Sequence, residues 1–269
     1  AEAVTRGRRD SARPLASPGT REVARLSEAI CSMANALQER ADYIRTFASN
    51  VSHEFKAPLT SLKGAGELFR DHLEDMSREE LERFLRIMEA DVERLERLVS
   101  RLLELARADM AAPDDERCDL LPVLETLAGR YRDAGLRVEL RAAAGEHVTA
   151  MSPAAVESVF SILLDNTLQH AGSGRTVTIA LYPATDERHL LRIQYTDNGP
   201  GILDQAAGKV FTPFYTTARD RGGSGLGLAI VASLLEAHGG GIELRPTDRG
   251  AAFVVRLPAD RGQRPAADV

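Results

Sequence analysis

The sequence predicts an α plus α/β protein, a helical hairpin followed by a mixed α/β domain, and three observations carry that prediction. Apolar residues recur at steps of three and four from about residue 21 to residue 110, the period of a helix seam. Beyond about residue 120 the chain changes to short β-branched runs separated by helical patterns. The 269 residues allow about two domains, 43% of them are hydrophobic, and a chain without Trp builds its core on Leu, Val and Ala.

A net charge of −6 argues against nucleic acid as a partner. No apolar run approaches the roughly 18 residues that a spanning helix needs, and no signal-peptide pattern opens the chain. Cys31 and Cys118 lie far apart without metal-ligand spacing, as expected of free thiols in a reducing compartment.

The elements follow in order. Residues 1–20 are polar, contain Pro and Gly, and read as a linker. From Arg21 a seam of Leu26, Ile30, Met33 and Leu37 begins, and Ile44, Phe47 and Val51 continue it. The next seam residues are Leu59, Leu62, Gly66, Phe69 and Leu73. Val51 to Leu59 is eight residues, so the seam slips by one across His53, Glu54 and Pro58. Pro58 also removes the donor that would reach the Glu54 carbonyl, at a cost of about 3 kcal/mol, so a bend is expected beside His53. The helix should end near residues 72–75, close to His72. Ser77 and Glu80 then form a capping box. The second helix reads Leu81, Leu85, Met88, Val92, Leu95, Val99, Leu102, Ala106. Two narrow seams cannot enclose a core, so a symmetric dimer forming a four-helix bundle completes them. A monomeric hairpin packed on the rest of the chain is the alternative.

Residues 111–119 read as a polar linker. "RVEL" from Arg137 is a strand. Ser152 before Pro153 caps a helix that runs to about His170. "TVTIALY" and "HLLRIQYTD" are strands, and "GLGLAIVASLLEAHGG" is a helix stopped by glycine with His238 at its cap. "GIELRP" and "AAFVVRLP" form a final hairpin. The tail from Asp260 is polar and expected to be disordered, and His147 and His189 read as surface residues.

Three stretches of the second domain carry chemistry. "LLDNTLQHA" places Asn166 late on a helix. "DNGPGI" places Asp197 at a strand end, where a carboxylate can accept a hydrogen bond from an exocyclic amine such as adenine's. "GGSGLGLAI" runs glycines into a helix N-terminus, whose free N–H groups suit phosphate. Polar residues precede those glycines, so the loop is not a Rossmann turn, and no Lys-Ser/Thr pair follows, so it is not a P-loop. Taken singly, Asp197 before Asn-Gly is also a common hairpin turn.

In order along the chain, "SHEFKAPLT", "LLDNTLQHA", "DNGPGI", "FTPFYTT" and "GGSGLGLAI" resemble the H, N, G1, F and G2 boxes of sensor histidine kinases of two-component systems. The likeness covers about residues 21–258. It implies that residues 21–40 are part of a HAMP signalling module and residues 41–110 a dimerisation and histidine phosphotransfer hairpin. It further implies a linker at 111–119, a Bergerat-type ATP-binding domain (an α/β sandwich) at 120–259, and a tail at 260–269. The implied whole is the cytoplasmic portion of an inner-membrane sensor, tied to the membrane only through N-terminal segments outside this sequence. The implied partners are a second copy and the receiver domain of a response regulator. The implied cofactors are ATP and Mg²⁺.

Carried over by position, the resemblance makes His53 the phosphoacceptor and Glu54 the group that holds or removes the second imidazole proton. Asn166 would hold Mg²⁺ and Asp197 would bind adenine, with Gly199 and Gly201 shaping that pocket. Gly223, Gly225, Leu226 and Gly227 would line the phosphate side, with Thr212 and His170 also at the nucleotide. The stretch "FTPFYTTARDRGGS" would be a mobile lid. Exposed residues below His53, such as Thr60, Ser61, Gly64 and Glu67, would choose the regulator.

Three positions depart from the family. Ala57 stands where Thr or Asn often orients water for dephosphorylating the regulator, so weak phosphatase activity is expected. Ile162 stands where an Asn is usual, and Gln169 where a basic residue is frequent. Hydrolytic relatives with the same ATP fold place a catalytic Glu at the position of Ile162, which cannot activate water. An ATP-hydrolysing conformational machine and a degenerate dimeric scaffold are the rival readings.

Overall fold

A computed structural model describes residues 21–72, 75–110, 116–184, 189–218 and 223–260. Contacts divide the chain into two units, with the boundary after Glu67. Helix α1 spans Arg21–His72 and crosses that boundary. It runs unbroken through Pro58, so the proline removes one hydrogen bond without ending the helix. No break separates residues 21–40 from the hairpin helix.

The buried row of α1 differs from the expected seam. Glu54, Pro58 and Ala65 are buried, Val51, Leu62 and Phe69 are half-buried, and Leu59 is exposed. The seam therefore continues in heptad steps from Val51 through Glu54 to Pro58, and its irregular step comes only after the proline. A search restricted to aliphatic residues passes over a glutamate stem and a proline ring, which is why the slip seemed to lie at His53. His53 itself is exposed. Leu73 lies outside the described residues.

In the second unit, helix α2 spans Arg78–Met110. The capping box is formed: Ser77 Oγ donates to Glu80 Oε2 at 2.7 Å, and Ser77 Oγ accepts from the Glu80 amide at 3.3 Å. Phe69 and Phe84 meet edge to face at 6.0 Å beside the turn. The inward face of α2 is rotated from the expected seam. Leu98, Leu105 and Ala108 are buried. Leu85, Val92 and Val99, at steps of seven, stay 45%, 44% and 43% exposed. These belong to the expected seam, and their exposure in a single chain is what a seam completed by a second copy requires.

The remaining elements form a two-layer α/β domain. Strand β1 is Cys118–Asp119, helix α3 Leu120–Asp133, strand β2 Arg137–Ala142, strand β3 Val148–Thr149 and helix α4 Pro153–Ala171. Strand β4 is Thr176–Tyr182, strand β5 Leu190–Asp197, helix α5 Asp204–Ala207 and helix α6 Gly227–Ala237. Strands β6, Gly241–Arg245, and β7, Ala252–Pro258, close the chain as an antiparallel hairpin. The five-stranded sheet has the order β2-β4-β5-β7-β6, parallel only between β2 and β4. Burial alternates along β4 and β5, so one sheet face packs on helices and the other meets solvent. Helices α3, α4 and α6 pack together, and α2 lies against α6, where Ser233 Oγ donates to Asp109 Oδ1 at 2.6 Å.

Several expectations need correction. The end of the expected linker is structured: Cys118–Asp119 pairs with β3, and the Asp119 side chain caps α3 by accepting from the Leu121 amide at 3.2 Å. Helix α3 went unread, although Asp119 followed by Pro122 in the first turn is a helix-start signal. His147 is buried rather than exposed, and neither ring nitrogen has a hydrogen-bond partner among the described residues. Asp260 is tied down through its amide to the Val148 carbonyl at 2.9 Å, and residues 261–269 lie outside the described residues. The linker at 1–20 and residues 111–115 of the second linker likewise lie outside them. Ser152 caps α4 as expected, accepting from Ala155 at 3.3 Å, and His238 Nδ1 meets the Leu234 carbonyl at 2.8 Å beside the end of α6.

Candidate active site

The second unit holds a cavity of about 560 Å³ between α4, the end of β5 and the start of α6. A buried carboxylate, Asp197, the last residue of β5, lines it. Asp197 Oδ1 accepts from the amides of Gly199 at 2.7 Å and Ala251 at 3.1 Å, which fixes the carboxylate plane. Among the described residues Oδ2 meets only the Thr167 hydroxyl, at 3.3 Å, so it keeps accepting capacity on the cavity side. Behind it runs a buried chain: the Tyr195 hydroxyl donates to the Leu163 carbonyl at 3.0 Å and meets Thr167 Oγ1 at 2.7 Å. Burial pushes the Tyr195 phenol well above its ordinary pKa, with the Thr167 hydrogen bond opposing it, so it stays a donor. Ile202, Val210 and Phe253 supply apolar wall, and Leu203 stands 75% exposed at the rim. A flat heterocycle with an exocyclic amine matches this combination.

Glycines set the geometry around the carboxylate. A Cβ on Gly199 would lie 2.7 Å from Ala171 Cβ. Gly250, at φ +75°, passes so close that any Cβ would overlap the Asp197 carbonyl. We expect Gly250→Ala to lower stability by about 2–4 kcal/mol. Thermal unfolding with and without nucleotide checks this; an unchanged midpoint and unchanged ligand shift would contradict it.

The other end of the cavity is built for anions. Helix α6 starts at Gly227 with no side-chain cap, leaving its first-turn amides open to a ligand. A Cβ on Gly227 would sit 3.0 Å from Ile162 Cγ2 and 3.5 Å from Asn166 Oδ1, so glycine lets α6 close on α4 beside Asn166. Gly225 sits at φ +68°, tied by its carbonyl to the Phe214 amide at 2.9 Å. Phe214 itself has φ 66°, a strained conformation for a bulky residue. Residues 219–222 of the expected lid lie outside the described residues.

The Asn166 amide nitrogen is buried without a partner among the described residues. No described group thus engages that nitrogen, and the carboxamide is left for something bound in the cavity to complete. No group of three His, Cys, Asp or Glu converges on a metal site among the described residues. The donor set fits a hard cation held by one amide oxygen and by ligand phosphates and water.

Of the expected site residues, Asn166, His170, Asp197, Gly201, Gly225 and Gly227 come together on the cavity wall. Gly199 acts behind it, through the Asp197 carboxylate. Gly223 is one layer back, its amide on the Ala218 carbonyl at 3.0 Å. Leu226 is fully buried and Thr212 is exposed; neither lines the cavity, because Leu226 packs into the core and Thr212 points to solvent. His53 and Glu54 belong to the first unit, one exposed and the other buried. Thr167, Tyr195, Gly250 and Arg101 were not read from the sequence as site residues. Only the glycine before "AAFVV" carried a usable signal.

Residues 43–111 match the His Kinase A (phospho-acceptor) domain, and residues 151–261 match the histidine kinase-, DNA gyrase B- and HSP90-like ATPase. The chain belongs to the sensor histidine kinases. The signal transduction histidine-protein kinase BaeS of Escherichia coli (strain K12) is 30% identical over 250 residues, 89% of this kinase chain and 52% of BaeS. The signal transduction histidine-protein kinase/phosphatase MprB of Mycobacterium ulcerans is 33% identical over 266 residues, 93% of this chain and 51% of MprB. The crystal structure of histidine kinase ThkA in complex with response regulator protein TrrA has the same fold. It matches with a TM-score of 0.64 at 20% identity, covering 84% of this chain and 65% of that one. This kinase chain spans about half the length of the curated relatives it matches. No helix among its described residues is long and apolar enough to cross a membrane.

Proposed function

We propose that this chain catalyses ATP-dependent phosphorylation of its own His53 and passes the phosphoryl group to an aspartate of a response regulator. The observation that carries the reading is Asp197, its Oδ1 locked by two backbone amides and its Oδ2 left for adenine beside the free amides of α6. Asn166 would hold Mg²⁺, which would supply positive charge to offset that building on the leaving oxygen. An unprotonated imidazole nitrogen of His53 attacks the γ-phosphorus as the bond to the ADP oxygen breaks. The proton on the other ring nitrogen passes to Glu54. Attack by a receiver-domain carboxylate then breaks the N–P bond while the proton held by Glu54 returns to the ring, leaving neutral His53.

The uncovered row Leu85, Val92 and Val99 supports a homodimer, in which a second copy covers it. Residues 21–40 act as the helix through which an upstream signalling module, of HAMP type in a membrane-bound sensor, drives the hairpin. Ile162, packed against Gly227, offers no carboxylate to activate water, which disfavours the ATP-hydrolysing reading.

Incubation with γ-labelled ATP tests the proposal. Acid-labile, base-stable label on the chain is expected; rapid phosphate release without label, or neither, would overturn it. Ala57 is exposed and cannot orient water. Ala57→Thr should accelerate dephosphorylation of the phosphorylated regulator about tenfold, the worth of one added hydrogen bond. Turnover of labelled regulator with ADP present reads this, and a rapid reaction by the unaltered chain would contradict it.

A further inference from the structure

We propose that Arg101, on helix α2 of the hairpin, is a ligand of the nucleotide phosphates; this deepens the ATP reading above and rests on it. Arg101 lines the cavity and is the one permanently cationic side chain among the described residues that do. Asp165 and Asp197 line the same cavity, so its described walls carry more negative than positive permanent charge. A polyphosphate needs a cation there. The helix that carries Asn166 supplies no permanent cation: Gln169, four residues after Asp165 and also on the wall, is neutral, and the imidazole of His170 is charged only when protonated. The guanidinium from α2 stands in that gap.

The present partners of Arg101 are exchangeable. Its Nη2 donates to Asp165 Oδ2 at 3.2 Å and its Nη1 to Glu104 Oε2 at 2.8 Å. Asp165 is the neighbour of Asn166, and its Oδ1 is taken by the Tyr131 hydroxyl at 2.6 Å. The Arg101 and Asp165 side chains are 27% and 48% exposed, so water screens their pairing. A phosphate carries more charge and matches the guanidinium fork with two parallel hydrogen bonds. Arg101 has five donors and spends two on the carboxylates. It can turn to phosphate while keeping one of them. Nucleotide would then bridge α4 and α2, so the grip of the hairpin helix on the ATP domain would depend on what fills the cavity.

The test compares binding of ATP, ADP and adenosine to the 269-residue chain and its Arg101→Ala, Arg101→Gln and Asp165→Asn variants, by calorimetry and displacement. Loss of Arg101 charge should weaken ATP and ADP about tenfold or more, the worth of a charged hydrogen bond. Adenosine should bind as before. Asp165→Asn should leave ATP affinity unchanged or raise it, because it releases Arg101. Arg101→Gln keeps part of the stem and a neutral donor, and thermal unfolding run alongside shows that each variant is folded. Unchanged ATP affinity in the Arg101 variants overturns the inference. So does an equal loss for adenosine, or an Asp165→Asn variant as weak as Arg101→Ala, since both mark a structural clamp. If the unaltered chain binds no adenine nucleotide, the ATP reading falls and this inference with it; binding without Arg101 dependence sinks the inference alone.

Discussion

Asp197→Asn should weaken ATP binding roughly 100-fold or more, about 3 kcal/mol. The size follows from hydrogen-bond direction. Asp197 Oδ1 accepts from two backbone amides, and Oδ2 is the group left for the exocyclic amine. An asparagine that keeps its oxygen on the amides turns its own NH₂ toward the adenine amine, donor against donor. The opposite flip places that NH₂ against the Gly199 and Ala251 amides and leaves buried donors unpaired, so stability falls instead. Calorimetry and thermal unfolding together read either outcome. ATP affinity within threefold of the unaltered chain, with an unchanged melting temperature, would remove Asp197 from the site.

Autophosphorylation should vanish in His53→Gln and fall roughly 10²- to 10⁴-fold in Glu54→Gln, the range for a lost general base. Neither change should alter ATP affinity, because both residues belong to the first unit and neither lines the cavity. Single-turnover labelling with γ-labelled ATP, beside equilibrium binding, separates chemistry from binding. Acid-labile label surviving on His53→Gln would name a different phosphoacceptor. A Glu54→Gln variant with unchanged rate would assign the second imidazole proton to solvent. The exposure of His53 and the burial of Glu54 sharpen that second test, since the two side chains leave α1 on different faces.

Much of the fold was legible because its signals are local. Ser77 with Glu80, Ser152 with Pro153, and the alternation of β4 each involve neighbours in sequence, and each element lies where it was expected. Helix α3 was missed although its cap was visible, because a polar run before it was read as linker through Asp119. The seam of α1 was misplaced because its buried row includes Glu54 and Pro58, residues that hydrophobic periodicity does not count. In the site, Asn166, Asp197 and the glycines of α6 were readable since each role constrains residue type within a short segment.

By itself, then, the sequence determined the order of the longer elements other than α3, the histidine helix, and the strand-end carboxylate and glycine turn of a nucleotide site. Those depend on residue type and on spacing along one stretch of chain. Tertiary structure alone decided which oxygen of Asp197 keeps accepting capacity, since Gly250 and Ala251 reach it from the far end of the domain. It alone decided that Leu226 faces the core and that Arg101 faces the cavity. The physical reason is common to these cases. A hydrogen-bond direction or a side chain's facing is set by contacts between residues tens of positions apart, and no local pattern encodes their meeting.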